Sequence, residues 1–396
     1  MIYDFDIIII GASPSGYMAA LSSKKKYSDL KIAIFEKKRS IKENIHPSNS
    51  IYSIMYSILN EYPNEDYILH KINGMKIISP SNKSITFDNK GWAIDKLKFD
   101  EFYYTKNLKE NVNIFFDFNV TNIKINSDHV FITVVSSQNK VYNYISKIII
   151  ISNGINSNLV SLLNIKTMKH ANDIAWGIEA NITYPNIGTN KYAEYYIGSH
   201  APGWKSSYLP MGNNNASIGI YIRRHGKNIN SFFNNWSKRF YKLKNIKEND
   251  IKINYIKYGG DPIATIPKDI FSDRVLITGG AAGQSGIAYG MYSGKIAGEI
   301  ASSAIALNSI TKKYLSNYSN IWKEHLYKEY IIGRLSLEII RKFSDNQINY
   351  IFDLFDEITI NKLLKKNISN TCISLLKYLF KKDKFFIFNL LSKKIY

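Results

Sequence analysis

The chain opens on an unbroken apolar run, Phe5-Asp6-Ile7-Ile8-Ile9-Ile10. It lacks the alternation of a half-exposed strand and reads as a parallel strand buried on both faces. The turn Gly11-Ala12-Ser13-Pro14-Ser15-Gly16 follows at once, then residues 17–26 in helical register. A second apolar strand, residues 31–35 (KIAIF), stops at Glu36. Similar runs recur at residues 144–152, ending at Asn153-Gly154, and at 275–278, before Gly279-Gly280-Ala281-Ala282-Gly283. These runs predict one parallel sheet assembled from distant parts of the chain.

Between the runs the pattern changes. Residues 37–50 are polar and basic and predict a loop that contains His46-Pro47, and residues 51–59 predict a helix. Alternation over residues 75–87 predicts strands, and a helix is expected to begin at residues 92–100 and run to about 108. Residues 113–116, 120–125 and 130–135 predict three further strands. From His170 and Asn172 onward, alternation at 175–182, 194–197 and 216–222 predicts an antiparallel sheet inserted between two parts of the parallel one. Gly286, Gly290, Gly294 and Gly298 then recur every fourth residue along a small-residue helix ending near residue 305. That spacing predicts close packing of one helix face against backbone or cofactor, at about 1 kcal/mol of helix propensity per glycine. Residues 310–396 are helical in pattern, without glycine after Gly333.

The fold class is therefore α/β, a Rossmann-like nucleotide-binding domain with an inserted antiparallel-sheet domain and a helical C-terminal region. The expected division is 1–50, 90–170 and 265–310 for the nucleotide domain, 51–89 and 171–264 for the insertion, and 311–396 for the helices. The order strand, glycine turn, helix, strand, acidic residue is that of a dinucleotide-binding βαβ unit. Gly11 permits the tight turn, and Gly16 lets helix and strand approach. The helix N-terminus offers N–H groups to a pyrophosphate, and Glu36 stands where a carboxylate accepts ribose hydroxyls. Ser13 departs from the pattern, standing where a middle glycine would be.

Composition narrows the setting. The 396 residues are 45% hydrophobic and 21% charged, as in a globular protein with real cores. The single cysteine, Cys372, excludes an internal disulfide and a cysteine-rich metal site, so a reducing, cytoplasmic setting is expected. No apolar leader precedes Phe5 and no run reaches the roughly 18 residues of a spanning helix. The net charge of +20 favours anionic surfaces. No nucleic-acid-binding motif accompanies it, so acidic lipid headgroups are preferred over nucleic acid; an evenly spread solubilising charge is the alternative. Residues 371–396 alternate apolar clusters with Lys377, Lys381, Lys382, Lys384, Lys393 and Lys394. Such a segment fits an anionic membrane surface at the inner face, or a basic-faced helix packed on the protein.

Three separated segments together resemble the FAD-dependent oxidoreductases of the p-hydroxybenzoate hydroxylase fold: the opening unit, the strand ending at Asn153-Gly154, and RVLITGGAAGQSGIAYGMYSGKIAGEIA. Within that group, residues 195–220 (YYIGSHAPGWKSSYLPMGNNNASIGI) resemble the substrate-domain signature of the geranylgeranyl reductase family, through Pro202, Gly203, Trp204, Tyr208, Pro210, Ile218 and Gly219. The resemblance spans about residues 4–330, with archaeal digeranylgeranylglycerophospholipid reductases as its nearest look. It implies that Gly11, Ala12, Ser13, Pro14, Ser15, Gly16, Glu36 and Lys37 hold the ADP half of FAD. Lys96 takes the place of an arginine that reaches the phosphates, and Val120 joins the cofactor contacts. Gly280, Ala281, Ala282, Gly283, Gly286 and Ile287 would face the ribitol, pyrophosphate and flavin ring. Trp204, Tyr208 and Pro210 would line an apolar substrate cavity; for Trp204 and Tyr208 the alternative is an ordinary core aromatic.

The chain also departs from the family at cofactor-facing positions. Its acidic residue after the third parallel strand is Gly280 here, its Asp-Gly is Asn153-Gly154, the loop from Gly283 to Gly286 is shorter, and a cysteine after the second strand is missing. The implied function is an FAD-dependent reductase that saturates isoprenoid C=C bonds in membrane lipids, with NAD(P)H or ferredoxin as external electron donor. His46 is a weak candidate proton donor, or an exposed loop residue. A flavin-dependent aromatic monooxygenase or halogenase is the alternative enzyme, and a non-catalytic flavoprotein the alternative from another class.

Overall fold

The computed structural model describes residues 3–43, 46–355, 362–363 and 368–385. The opening run forms the strand Phe5–Ile10 near the middle of the first sheet, with Ile7, Ile8 and Ile9 fully buried. It pairs in parallel with Ile32–Glu36 on one side and with the end of Val141–Ile151 on the other. Asn113–Phe116 extends the parallel set at one side and Val275–Ile277 at the other. The short strand Phe271–Ser272 closes the edge antiparallel.

Val141–Ile151 serves two ladders. Its second half runs beside Phe5–Ile10, while its first half pairs antiparallel with Val130–Val135, which in turn pairs with Asn119–Ile125. The sequence YNYISKIIII records this division, being half-buried at first and then solidly buried where strands lie on both sides.

The helices Pro14–Lys26 and Ile287–Ala306 lie against each other and against this sheet. Here the glycine ladder has its explanation. A Cβ on Gly294 would stand 2.0 Å from the Ser15 carbonyl oxygen, and one on Gly298 2.1 Å from that of Ala19. The backbones are close enough for Ser22 Oγ to donate to the Lys295 carbonyl and Ser23 Oγ to that of Gly298, both at 3.0 Å. The expected close packing is thus helix on helix at these two positions.

The second sheet has eight strands. The order is Lys252–Asp261, Ala175–Thr183, Asn215–Arg223, Lys205–Pro210, Tyr192–Tyr196, Ile68–Ile78, Ser84–Ile94 and Ser50–Tyr52. It is antiparallel as expected except between Tyr192–Tyr196 and Ile68–Ile78, which run parallel, so the sheet is mixed. A helix that the pattern reading passed over, Asn230–Leu243, covers its outer face. Phe233, Trp236 and Phe240 form its buried stripe among exposed lysines and asparagines.

Two local expectations change. Residues 51–59 begin as strand Ser50–Tyr52 and only then turn through Ser53–Tyr56. The next major helix starts at Lys96, because Trp92 to Ile94 still pair in Ser84–Ile94 and Asp95 caps the helix through the Leu97 and Lys98 N–H groups. The C-terminal helix Lys312–Lys342 packs Leu315, Tyr318, Trp322, Leu326 and Tyr330 into the core of the parallel sheet. Asp345–Asp353 and Ile368–Lys382 follow. Lys393 and Lys394 lie outside the described residues.

Candidate cofactor and substrate site

The glycine turn closes on the end of the neighbouring strand. Ser152 Oγ donates to the carbonyls of Ile10 and Gly11 at 3.0 and 2.8 Å. Gly11 has φ +108°, and a Cβ there would lie 2.7 Å from the Ser152 carbonyl oxygen, so only glycine fits. Ser13 acts as the helix cap: its Oγ accepts the Gly16 N–H at 3.2 Å, and Pro14 stands in the first turn. The hydroxyl that replaces the middle glycine therefore occupies one of the helix's free N–H groups.

The Glu36 carboxylate braces the turn. One oxygen accepts the Ala12 N–H at 2.8 Å and the other the Lys38 N–H at 3.0 Å. Each oxygen keeps a lone pair for a ribose hydroxyl. Nearby, Tyr17 Oη and Asn153 Oδ1 are buried and have no hydrogen-bond partner among the described residues. Buried polar atoms of this kind are rare unless something absent satisfies them. Lys37 is exposed, and Val120 is buried in the core of the parallel sheet. Lys96 is also buried, but its Nζ lies 2.5 Å from both carboxylate oxygens of Asp100. The ammonium is thus already paired.

The second loop is held from behind. Gln284 Oε1 accepts the Gly279 N–H at 2.6 Å and the Thr278 hydroxyl at 3.2 Å, while its Nε2 donates to Tyr318 Oη at 3.0 Å. The Ser285 N–H donates to Tyr330 Oη at 2.9 Å, and Ser285 Oγ donates to Asp261 Oδ1 at 2.5 Å. This network fixes the backbone that leads into Gly286, whose φ is +81° and whose open side meets only Met55 Cε at 3.6 Å. The helix Ile287–Ala306 that starts there has no side-chain cap. Its first N–H groups are available to an anion or a polar ring edge. With the Gly11 turn and the orphaned Asn153 amide, these groups fit an extended dinucleotide.

The inner face of the mixed sheet is turned toward this loop, as the bond from Ser285 to Asp261 records. Strand pairing sets Gly177 opposite Tyr221 and Glu179 opposite Gly219. Tyr221 Oη donates to Glu179 Oε1 at 2.5 Å, and Asn49 Nδ2 donates to Oε2 at 3.2 Å. Trp204 packs edge-on to Tyr221 with ring centroids 5.1 Å apart. The Lys205 ammonium lies 3.6 Å from the Tyr195 ring centre. Desolvation raises the pKa values of Glu179 and Asp261 above the usual carboxylate range.

No family model matches the chain. It is 26% identical over 388 residues to the digeranylgeranylglycerophospholipid reductase of Methanococcus vannielii, covering 94% of this chain and 97% of that protein. Among solved structures, a geranylgeranyl bacteriochlorophyll reductase-like protein from Thermoplasma acidophilum superposes with TM-score 0.85 at 19% identity, covering 98% of both chains. A triple mutant of a flavin-dependent brominase reaches 0.72 at 14% identity, covering 96% of this chain and all of that one. The chain is thus similar over nearly its whole length to proteins named geranylgeranyl-type reductases.

The sequence departures noted above acquire structural reasons. At Gly280 even a Cβ would approach Ile155 Cγ2 and N at 3.1 Å, so a carboxylate side chain needs Ile155 to move. Of the three residues expected at a substrate cavity, only Trp204 stands with the inner-face residues. Tyr208 is on the outer face, stacked on Phe240 and donating to the Ile187 carbonyl, and alternation puts Pro210 there too. His46 is near Lys38 and Lys96; desolvation first, then those two cations, lower its pKa to about 4, even though the residue keeps exposed surface. Sequence reading missed Glu179, Tyr221, Asp261, Gln284 and Tyr330. The available signal was the alternation of Gly177, Glu179 and Asn181, polar or small residues opposite a row of isoleucines and alanine.

Proposed function

We propose that the protein is an FAD-dependent reductase that saturates C=C bonds of geranylgeranyl chains in membrane lipids. The observation that supports this reading best is the facing of two surfaces. An uncapped glycine loop, suited to the polar parts of a flavin, looks onto a sheet face carrying aromatic rings and half-buried carboxylates. A chain alignable from end to end with a named lipid reductase supports the same substrate class. In the dinucleotide form FAD, Glu36 holds the adenosine ribose, and the Gly11 turn and the Ile287–Ala306 N-terminus hold the pyrophosphate.

When bound, the flavin supplies the hydride that an isolated alkene needs. The chain supplies the rest. Trp204, Tyr195 and Tyr221 give an isoprenoid chain apolar ring faces to lie on. Glu179, whose pKa burial raises, is the group placed to give the proton to the other alkene carbon, at a carboxyl that Tyr221 orients. His46 is the weaker donor, since a pKa of about 4 leaves it without a proton to give at neutral pH.

Delivery to lipid rests on the C-terminal helix Ile368–Lys382 and the residues just after it. Phe380 and Phe385 are exposed there among the exposed Lys377, Lys381, Lys382 and Lys384. That composition suits shallow contact with an anionic bilayer at the cytoplasmic face. Among the described residues no helix is long and apolar enough to cross a membrane. NAD(P)H or a ferredoxin is the electron donor under this reading.

The direct test is anaerobic incubation of the FAD-reconstituted protein, reduced with dithionite, with a geranylgeranyl lipid. Product masses should rise in steps of two hydrogens. Unchanged lipid masses, or a purified protein that takes up no FAD, would refute the proposal.

A further inference from the structure

A cavity of about 440 Å³ lies away from the nucleotide turn, lined by His170, Asn172, Asp173, Arg224, Gly226 and Arg334. That volume is in the range of small-molecule sites. Its wall is an ion cluster in which four guanidinium groups meet two carboxylates. Asp173 accepts from Arg223, Arg224 and Arg334 at 2.7, 2.7 and 3.1 Å. Glu338 pairs with Arg223 at 2.5 Å, Arg224 at 3.0 Å, Arg334 at 3.8 Å and Arg341 at 3.1 Å. Desolvation pushes both carboxyls up, but the arginine hydrogen bonds outweigh it and hold both below the usual range. Both therefore stay ionised, and the cluster keeps two positive charges in excess.

Arg223 is fully buried, whereas Arg224 and Arg341 keep 39% and 31% of their side-chain surface, so the excess positive charge is open to a ligand from solvent. Backbone strain collects at the same place. His170 has φ +60° and Arg224 φ +64°; the left-handed region is open to Gly, Asn, Asp and His but seldom taken by arginine. Such outliers persist where surrounding structure over-determines them, often at ligand sites. Arg341 Nε is in addition buried without a partner among the described residues.

We propose that this cavity binds a phosphoryl group, with Arg224 and Arg334 as its direct partners and Arg223 as the buried charge behind them. Arginine's planar fork suits two phosphate oxygens at once. The position also fits the reductase reading, on which the lipid arm of the proposal rests. Tyr330, which holds the flavin loop, and Arg334 are one turn apart on the long helix, a rise of about 6 Å. A lipid anchored here by its phosphate has its chains starting near that loop. The Pro202-Gly203 turn closes over the cluster, as Arg223 Nη1 donates to the Gly203 carbonyl at 3.3 Å.

The test is calorimetric titration of the full chain, loaded with FAD, by inorganic phosphate, glycerol phosphate and a short-chain phosphatidic acid. Arg224→Gln should weaken every phosphoryl ligand that binds the wild type by roughly tenfold or more. Asn172→Asp leaves the arginine pairs intact and adds one negative charge to the wall, so it should weaken the same ligands severalfold. Phosphatidic acid binding far more tightly than inorganic phosphate identifies a lipid headgroup as the source; equal affinities identify a small phosphorylated molecule. Absence of binding, or binding indifferent to both substitutions, overturns the proposal. Kinetics separate the lipid arm from the reductase reading: alkene reduction with the same KM for a geranylgeranyl phospholipid and for geranylgeraniol, unaltered in Asn172→Asp, leaves the reading standing and refutes a lipid headgroup at this site.

Discussion

Gly290 and Gly294 sit one turn apart on one helix, yet the structure assigns opposite effects to the same substitution. At Gly290 a new Cβ would find its nearest neighbours at 3.9 and 4.0 Å, ordinary contact distances. Gly290→Ala should therefore gain helix propensity, about 1 kcal/mol, with no steric penalty. At Gly294 the Cβ would stand 2.0 Å from the Ser15 carbonyl oxygen, which belongs to rigid helix backbone. Restoring contact near 3.4 Å requires the two helices to part by about 1.4 Å. The 3.0 Å bonds from Ser22 to Lys295 and Ser23 to Gly298 would then exceed hydrogen-bonding distance. Overpacking costs about 1–3 kcal/mol and the two lost bonds about 1 kcal/mol each. After the propensity gain, Gly294→Ala should lose about 2–4 kcal/mol. Chemical denaturation of the wild type and both variants, with and without FAD, reads this directly. The parting also moves the Ser15 end of the nucleotide turn, so Gly294→Ala should lose FAD on gel filtration while Gly290→Ala keeps it. Equal midpoints for the two variants would refute the backbone-contact account of the glycine ladder.

Tyr330→Phe removes the acceptor of the Ser285 N–H and should cost about 1–3 kcal/mol in a denaturant titration, with weaker FAD retention because Gly286 is the next residue. Burial raises the folded-state pKa of Glu179 above its unfolded value. The folded protein thus holds the proton more firmly, and this contribution to stability is complete below the ordinary carboxylate range and lost as pH rises through the raised value. Glu179→Gln should flatten the fall in midpoint over that window and lower the rate of lipid reduction about a hundredfold or more; a rate unaffected by the change removes Glu179 as proton donor. Replacing Lys377, Lys381 and Lys382 by Gln should reduce binding to anionic vesicles by roughly a hundredfold at low salt, since each interfacial lysine is worth about 1 kcal/mol. Wild-type binding should also fall steeply with added salt, which screens these charges.

The parallel sheet was legible because its strands are buried on both faces and so become unbroken apolar runs. FDIIII and KIAIF could hardly be anything else in a chain with a glycine turn between them and a carboxylate behind. The helix Asn230–Leu243 was not legible in the same way, because lysines and asparagines interrupt its aromatic stripe and the stretch between strands invited a loop. The pairing of Tyr192–Tyr196 parallel to Ile68–Ile78 was hidden for a different reason: strand alternation reports which face is buried and says nothing about the direction of the neighbour. The same limit moved Tyr208 to the outer face. A signature of aromatics and prolines marks a strand, but its parity against Glu179 and Gly219 is fixed only by register.

The candidate site divides along the same line. Gly11 and Gly16 belong to one short turn between a strand and a helix, and that turn could be read from local pattern. Asp261, Tyr318 and Tyr330 hold the loop of Gln284 and Ser285 from one strand and one helix, each some two dozen residues or more away in sequence. Local patterns carry no trace of such an assembly. This accounts for how the departure at Gly280 is met. The position is packed against Ile155, with no room prepared for a longer side chain, while the loop is braced from behind by Gln284 and the two tyrosines. The change at Gly280 is therefore local, and the bracing behind the loop is intact. Flavin affinity in this protein should depend more on Gln284 than on any group at residue 280. Gln284→Ala, which leaves the Gly279 N–H buried without its acceptor, should release FAD more readily than Gly280→Ala, whose Cβ needs Ile155 to give by only a few tenths of an ångström. Stopped-flow release of FAD from the two variants decides between them, and faster release from Gly280→Ala would show that the loop is not held from behind.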